Sequence, residues 1–275
     1  MRQNIRIGLS LTVGLLIAAS TASAQYKQYP ASQPSTGEKY YVEAAFGLWN
    51  PTPTLLVSSE SLGIVGTEID AVADLGMEKK AFKEFRLVLR PGRKHKLRLD
   101  YIPILYKSET VLQREIVFNG QAYKVGVPVN SSLDWKAYRF AYEYDFVYRD
   151  RGFVGFLVEA KYTDVRVDLA TPLREPEWAK ARAPIPAIGA IARIYPVSNI
   201  SITGEISGFK LPASVDKEER YDGKFVDFDI YGTLNVTNNF GVQAGYRSVA
   251  VAYRVKDDTG DLTLKGLYFM GVARF

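Results

Sequence analysis

The chain has 275 residues, 47% of them hydrophobic and 24% charged, with no cysteine, one histidine and a formal net charge of +5. That apolar share excludes a disordered chain, and the lack of cysteine excludes disulfides, thiolate metal sites and cysteine nucleophiles. The small basic excess is no signature of a nucleic-acid partner, and no stretch approaches the roughly 18 uninterrupted apolar residues of a spanning helix.

In chain order, Arg2 and Arg6 precede an apolar run from Ile7 to Ala19, and Ala22-Ser23-Ala24 follows. A cationic start, an apolar segment and a small-x-small site predict a signal peptide over residues 1–24, cut before Gln25. Residues 25–38, QYKQYPASQPSTGE, are rich in Gln, Pro and Ser and read as a flexible leader. A barrel domain is expected over 39–275.

From Lys39 onward the hydrophobic period is two, with almost no helical periodicity. In KYYVEAAFGLW, Val42, Ala44, Phe46 and Leu48 oppose Glu43; in FKEFRLVLR, Phe85, Leu87 and Leu89 oppose Glu84, Arg86 and Arg90. HKLRLDYIPIL sets Leu97, Leu99 and Tyr101 against Lys96, Arg98 and Asp100. YRFAYEYDFVYR places Tyr138, Phe140, Tyr142, Tyr144, Phe146 and Tyr148 on one face, with Arg139, Glu143 and Asp145 on the other. The next segments oppose Val154, Phe156 and Val158 to Glu159 and Lys161, Ile188 and Ile194 to Arg193, and Ile202 and Ile206 to Glu205. The last three oppose Val226, Phe228 and Ile230 to Asp227 and Asp229, Val242 and Tyr246 to Arg247, and Leu267, Phe269 and Phe275 to Arg274. Ten strands are predicted.

The connections alternate in length. RPGRK (90–94), RDRG (149–152), YPVSN (195–199) and VTNN (236–239) are short; the others, 50–80, the turn around Asn119-Gly120, 170–184 and 210–223, are longer, except the small KDDTG (256–260). A short helix or a strand extension is expected in Glu68–Lys80, and a projecting hairpin in 107–133. Short turns on one side and long loops on the other are the pattern of a transmembrane antiparallel up-and-down β-barrel. An even strand count puts both termini on the short-turn, periplasmic side. A soluble β-sandwich also alternates, so composition decides. The polar faces carry acids and bases in about equal number, the stock a narrow lumen needs because buried charge must be paired. Aromatics near the strand ends suit interfacial girdles.

With its signal peptide, ten alternating strands and Phe275, the sequence resembles a small Gram-negative outer-membrane β-barrel protein over residues 39–275. GTEIDAVADLGMEKKAFKEFRLVLRPGRKHKLRLDY is similar to a pattern in such barrels of unassigned function. The ending, with Leu267, Phe269 and Phe275 alternating, resembles the C-terminal signal read by the barrel-assembly machinery, which the resemblance makes a partner. Mixed-charge segments such as KEERYDGK point to outer-membrane lipid and lipopolysaccharide as surface contacts.

Catalysis finds little support. His95 stands alone in a short basic turn, whereas a triad or metal site needs several converging groups. The Asp227–Asp229 pair suits salt bridges to lumen bases, and no phosphate-cradling glycine motif is present, so no cofactor is expected. Three roles follow in order: a structural or surface-interacting barrel with a charge-filled, closed lumen; a narrow diffusion channel for small solutes; and a lipid- or peptide-processing enzyme.

Overall fold

The structure is a computed structural model that describes residues 35–275, apart from 59–65, 119, 173, 212–220 and 256–257. The expected signal peptide and leader residues 25–34 lie outside the described residues. The strands are β1 Val42–Ser58, β2 Ile69–Asp70, β3 Phe82–Gly92, β4 His95–Val111, β5 Ile116–Phe118, β6 Gln121–Tyr123, β7 Pro128–Arg149, β8 Gly152–Thr171, β9 Arg174–Val197, β10 Ile200–Leu211, β11 Tyr221–Asn235, β12 Phe240–Val255 and β13 Asp258–Arg274.

Ten long strands pair with their chain neighbours, and β13 returns to β1 in register from Glu43↔Arg274 to Ser58↔Thr259. This is a closed antiparallel barrel. A closed sheet pairs its backbone donors and acceptors strand to strand, the one way a sheet can sit in hydrocarbon. Turns at 93–94, 150–151, 198–199 and 236–239 gather at one end. Both described termini lie there: Thr36 N donates to Ser198 O (2.8 Å), and Phe275 N to Val42 O (2.8 Å).

Which face meets which solvent is settled by exposure. Phe46, Leu48, Phe140, Phe156, Ile188, Ile202, Ile206 and Phe269 are exposed on the outer wall, while Glu84, Glu143 and Asp145 are at 0%. So large an apolar exterior around a charged interior is the inverse of a soluble sandwich. Aromatics ring the outside: Tyr101 stacks on Tyr138 (4.8 Å), Tyr138 lies 6.4 Å from Tyr162, and Tyr144 packs on Phe156. The strands outrun the bilayer. β7 has 22 residues and β9 has 24, against the roughly 9–11 that cross hydrocarbon.

Three details depart from the sequence reading. Residues 50–58 and 170–184, expected in loops, are mostly strand, because β1 continues to Ser58 and β8 and β9 continue to Thr171 and from Arg174. No helix forms in 68–80, and of the strand extension expected as its alternative only β2 forms, paired with Leu56 and Val57 of β1. Asp70 Oδ1 caps a turn by accepting from Val72 N and Ala73 N (2.9 and 3.1 Å), and Gly76 at φ +64° ends it, so that Ile69, Ala71, Leu75 and Met77 all bury inward. The third is a β-bulge between Tyr144 and Val147, whose extra residue reverses the parity of β7. Val147 is therefore exposed, and Tyr148, expected outside, packs against the buried cluster of Phe153, Leu157 and Ile191.

Candidate functional site

The interior has two storeys. Toward the short turns it is charged; toward the long loops the inward parity turns apolar. On β4 the inward series runs Lys96, Arg98, Asp100, Ile102, Ile104, Tyr106, all buried.

All eighteen charged residues predicted to face the lumen are buried. Most join one continuous ion-pair chain across the bore. Lys96 Nζ bonds Asp145 (2.9 Å) and Glu143 (2.6 Å), and Arg98 links Glu143 (2.7 Å) to Glu205 (3.2 Å). Arg139 gathers Glu205, Glu159 and Asp100, the last at 2.9 Å. Lys161 connects Glu159 (3.2 Å) to Asp227 (2.7 Å), and Arg247 carries the chain from Asp227 (2.8 Å) to Glu84 (2.6 Å). Arg86 closes it, between Glu84 (2.8 Å) and Asp229 (2.9 Å). The Asp227–Asp229 pair is thus spent on bases of three other strands.

Four of the eighteen sit outside that chain, near the short turns. Arg274 Nε donates to Glu43 (2.5 Å) and its Nη1 to Asn235 (2.8 Å), beside the β1–β13 seam. Arg90 and Arg193 meet a residue that sequence reasoning left in the leader. Glu38, 3% exposed, lies 3.5 Å from each guanidinium and accepts from Tyr195 OH at 2.6 Å. Arg90 also donates to the Glu38 carbonyl and lies over the rings of Tyr40 and Tyr148. Residues 35–38 therefore stopper the short-turn mouth. Composition conceals this, because one acid at the end of a Gln/Pro/Ser-rich run carries no periodicity.

The storeys are joined by tyrosines and cation–aromatic contacts. Tyr268 OH donates to Asp229 (2.9 Å) and accepts from Gln243 (3.1 Å), with Arg86 4.7 Å from its ring centre. Lys161 lies 4.3 Å from the ring centre of Phe225. At the junction is a cavity of about 40 Å³, lined by Trp49, Trp135, Arg139 and Asp227 among others. Above it Trp49, Ile104, Leu133, Leu264 and Met270 pack at 0–1% exposure.

A lid covers the apolar storey. The β5–β6 hairpin supplies Ile116, Phe118 and Tyr123, and the 69–77 turn supplies Ile69, Leu75 and Met77, all to one core. Arg114 clasps the lid, donating to both Asp74 oxygens (2.7 and 2.5 Å) and to Glu68 O (2.6 Å). The Arg114 hydrogen bond holds the Asp74 carboxyl below its usual pKa.

The remaining sequence candidates lie on the wall. His95 is outside, at the short-turn end, its Nδ1 2.6 Å from Tyr142 OH. Leu267, Phe269 and Phe275 are exposed on the exterior of the last strand and just beyond it.

No family model matches the sequence, and no curated protein is similar to it. Among solved structures, the outer membrane protease OmpT from Escherichia coli aligns with 88% of this chain and 99% of its own at 8% identity, with a TM-score of 0.59. The transport unit of the E. coli autotransporter AIDA-I aligns over 93% of both chains at 6% identity (TM-score 0.41). Ail, the attachment invasion locus protein of Yersinia pestis, covers 83% of this chain and 98% of its own at 8% identity (TM-score 0.33). The OmpT alignment gives the fold, an outer-membrane β-barrel.

Proposed function

We propose that this chain, exported by the signal peptide of residues 1–24, resides in the outer membrane as a closed barrel with a structural or surface-interacting role. Lipid and lipopolysaccharide surround it, and the assembly machinery engages its last strand. The observation that carries the reading is the ion-pair chain across the bore, with Lys96, Glu84, Glu143 and Asp145 at 0–2% exposure. A residue that water does not reach lines no aqueous path. Glu38 below and the Arg114-clasped lid above add closures at either end.

A diffusion channel would need a hydrated bore, which packing at Trp49 and Leu264 opposes. For an enzyme of OmpT's kind, activity would need acid–base groups convergent at an accessible mouth. Here the lumen carboxylates are held in buried pairs, and His95 faces outward beside Tyr142. The test is solute uptake by vesicles holding the folded barrel. Swelling in arabinose or glycine no faster than in empty vesicles is expected; rapid swelling would overturn the closed-lumen reading.

A further inference from the structure

We propose that the outer wall of β8–β11 binds a phosphorylated, acylated saccharolipid of the lipid A type, an acyl chain lying in an apolar groove and a headgroup phosphate on Lys210 and Lys224. The inference rests on outer-membrane residence as proposed above.

The first observation is shape. Small outward residues, Ala190 on β9 and Gly208 on β10, lie between the exposed side chains of Phe156, Ile188 and Ile206, and the depression holds about 570 Å³. Ligand sites fall in the range of roughly 300–1,000 Å³. Its lining is apolar, so its natural occupant is hydrocarbon.

The second observation is charge. Lys210 and Lys224 are direct partners across β10 and β11, both exposed, at the outward positions that follow Gly208 and Val226 of the groove. Like charges placed opposite each other repel, and neither lysine has an ion-pair partner among the described residues. A phosphate above the pair would neutralise both. The same switch from apolar to basic recurs at the long-loop end of other strands: Phe85 to Lys83, Leu105 to Lys107, Tyr138 to Lys136, Pro184 to Arg182 and Leu267 to Lys265. Arg182 is already engaged by Asp164 at 3.1 Å, and among the basic residues of this collar Lys210 and Lys224 are the two that face each other beside the groove. Toward the short turns the outward residues stay apolar, with Val154, Ile194, Ile200, Leu234 and Phe240 exposed. The strands of the wall therefore carry their outward basic residues toward the long loops, while at the other end the exposed bases, Arg93, Arg149 and Arg151, sit at the short turns. A lipid with phosphates on a sugar headgroup and several chains satisfies both the groove and the collar.

Native mass spectrometry of the folded barrel can test this with three separate probes: diphosphoryl lipid A, its dephosphorylated form and phosphatidylglycerol. The wild type is expected to retain the diphosphoryl lipid preferentially. Lys210→Gln with Lys224→Gln should weaken retention at least about tenfold, each lysine contributing at an anionic surface. Ala190→Leu, which fills the groove, should also weaken it, whereas Lys124→Gln in the lid should change nothing. Undiminished binding by the double variant, or equal binding of all three lipids, overturns the site. A dimer that forms without lipid and is lost only in Ala190→Leu gives the groove to a second copy instead. Folding is scored separately by heat-modifiable mobility, and a wild-type chain that cannot enter vesicles overturns the outer-membrane reading and the site with it.

Discussion

Arg139 holds Asp100, Glu159 and Glu205 together at 3–7% exposure, where little water reaches them. Replacing it with methionine leaves three carboxylates facing one another with one cation fewer, and breaking a buried pair in this way costs about 3–5 kcal/mol. Urea unfolding in lipid vesicles is the measurement, and Glu205→Gln in the same background should return part of the loss. Unchanged stability in Arg139→Met would mean the network carries none of it. At this scale the sequence was largely readable, since strand parity alone separates Asp227 and Asp229 from Phe228. It fails where parity is broken or absent: the bulge at Tyr144–Val147 turns Tyr148 inward, and Glu38 precedes any strand.

The barrel's elements differ in how firmly they are held. The seam between β1 and β13 is completed by Phe275, whose carbonyl accepts from Tyr41 N (2.8 Å) and Val42 N (3.0 Å). Deleting Phe275 removes those bonds and an exposed aromatic beside the short-turn end. Folded, heat-modifiable protein is expected to fall more than it does for substitutions such as Val125→Ser in the lid; equal yields would contradict this. The lid depends on the Arg114–Asp74 clasp. Its carboxyl is depressed in the folded state, so the clasp contributes fully above the ordinary Asp value of about 3.9 and is lost as pH falls through the folded value. Protease cleavage in the lid should therefore rise in strong acid and be constant from pH 5 to 8, and Asp74→Asn should remove the dependence. The lid was the least legible element. Ile69, Ala71, Leu75 and Met77 share one parity, but exposed Ala73 interrupts it, because a capped turn rather than a continuous strand aims them into the mouth.

At the scale of the whole molecule, a polar lumen was expected and only half of it is polar. The reason lies in length. A strand such as β9, with 24 residues, is far longer than the bilayer needs, and the portion beyond it must fill its own interior. Above the membrane that interior packs like a soluble core, with Tyr106, Leu112 and Leu133 in it. The signal was present in the inward parity of Ile102, Ile104 and Tyr106, once β4 is followed past Asp100. Closure is thus built three times, by the Glu38 stopper, the ion-pair chain and the apolar storey beneath its lid.

Single-channel recording in a planar bilayer examines that closure most directly. The wild-type barrel should show no stable openings across the usual voltage range. Arg139→Met or Glu38→Gln, which weaken two of the three closures separately, should add at most brief, small events, because the apolar storey remains. Steady wild-type conductance of porin size, unaltered by either substitution, would contradict the account and make the interior a channel.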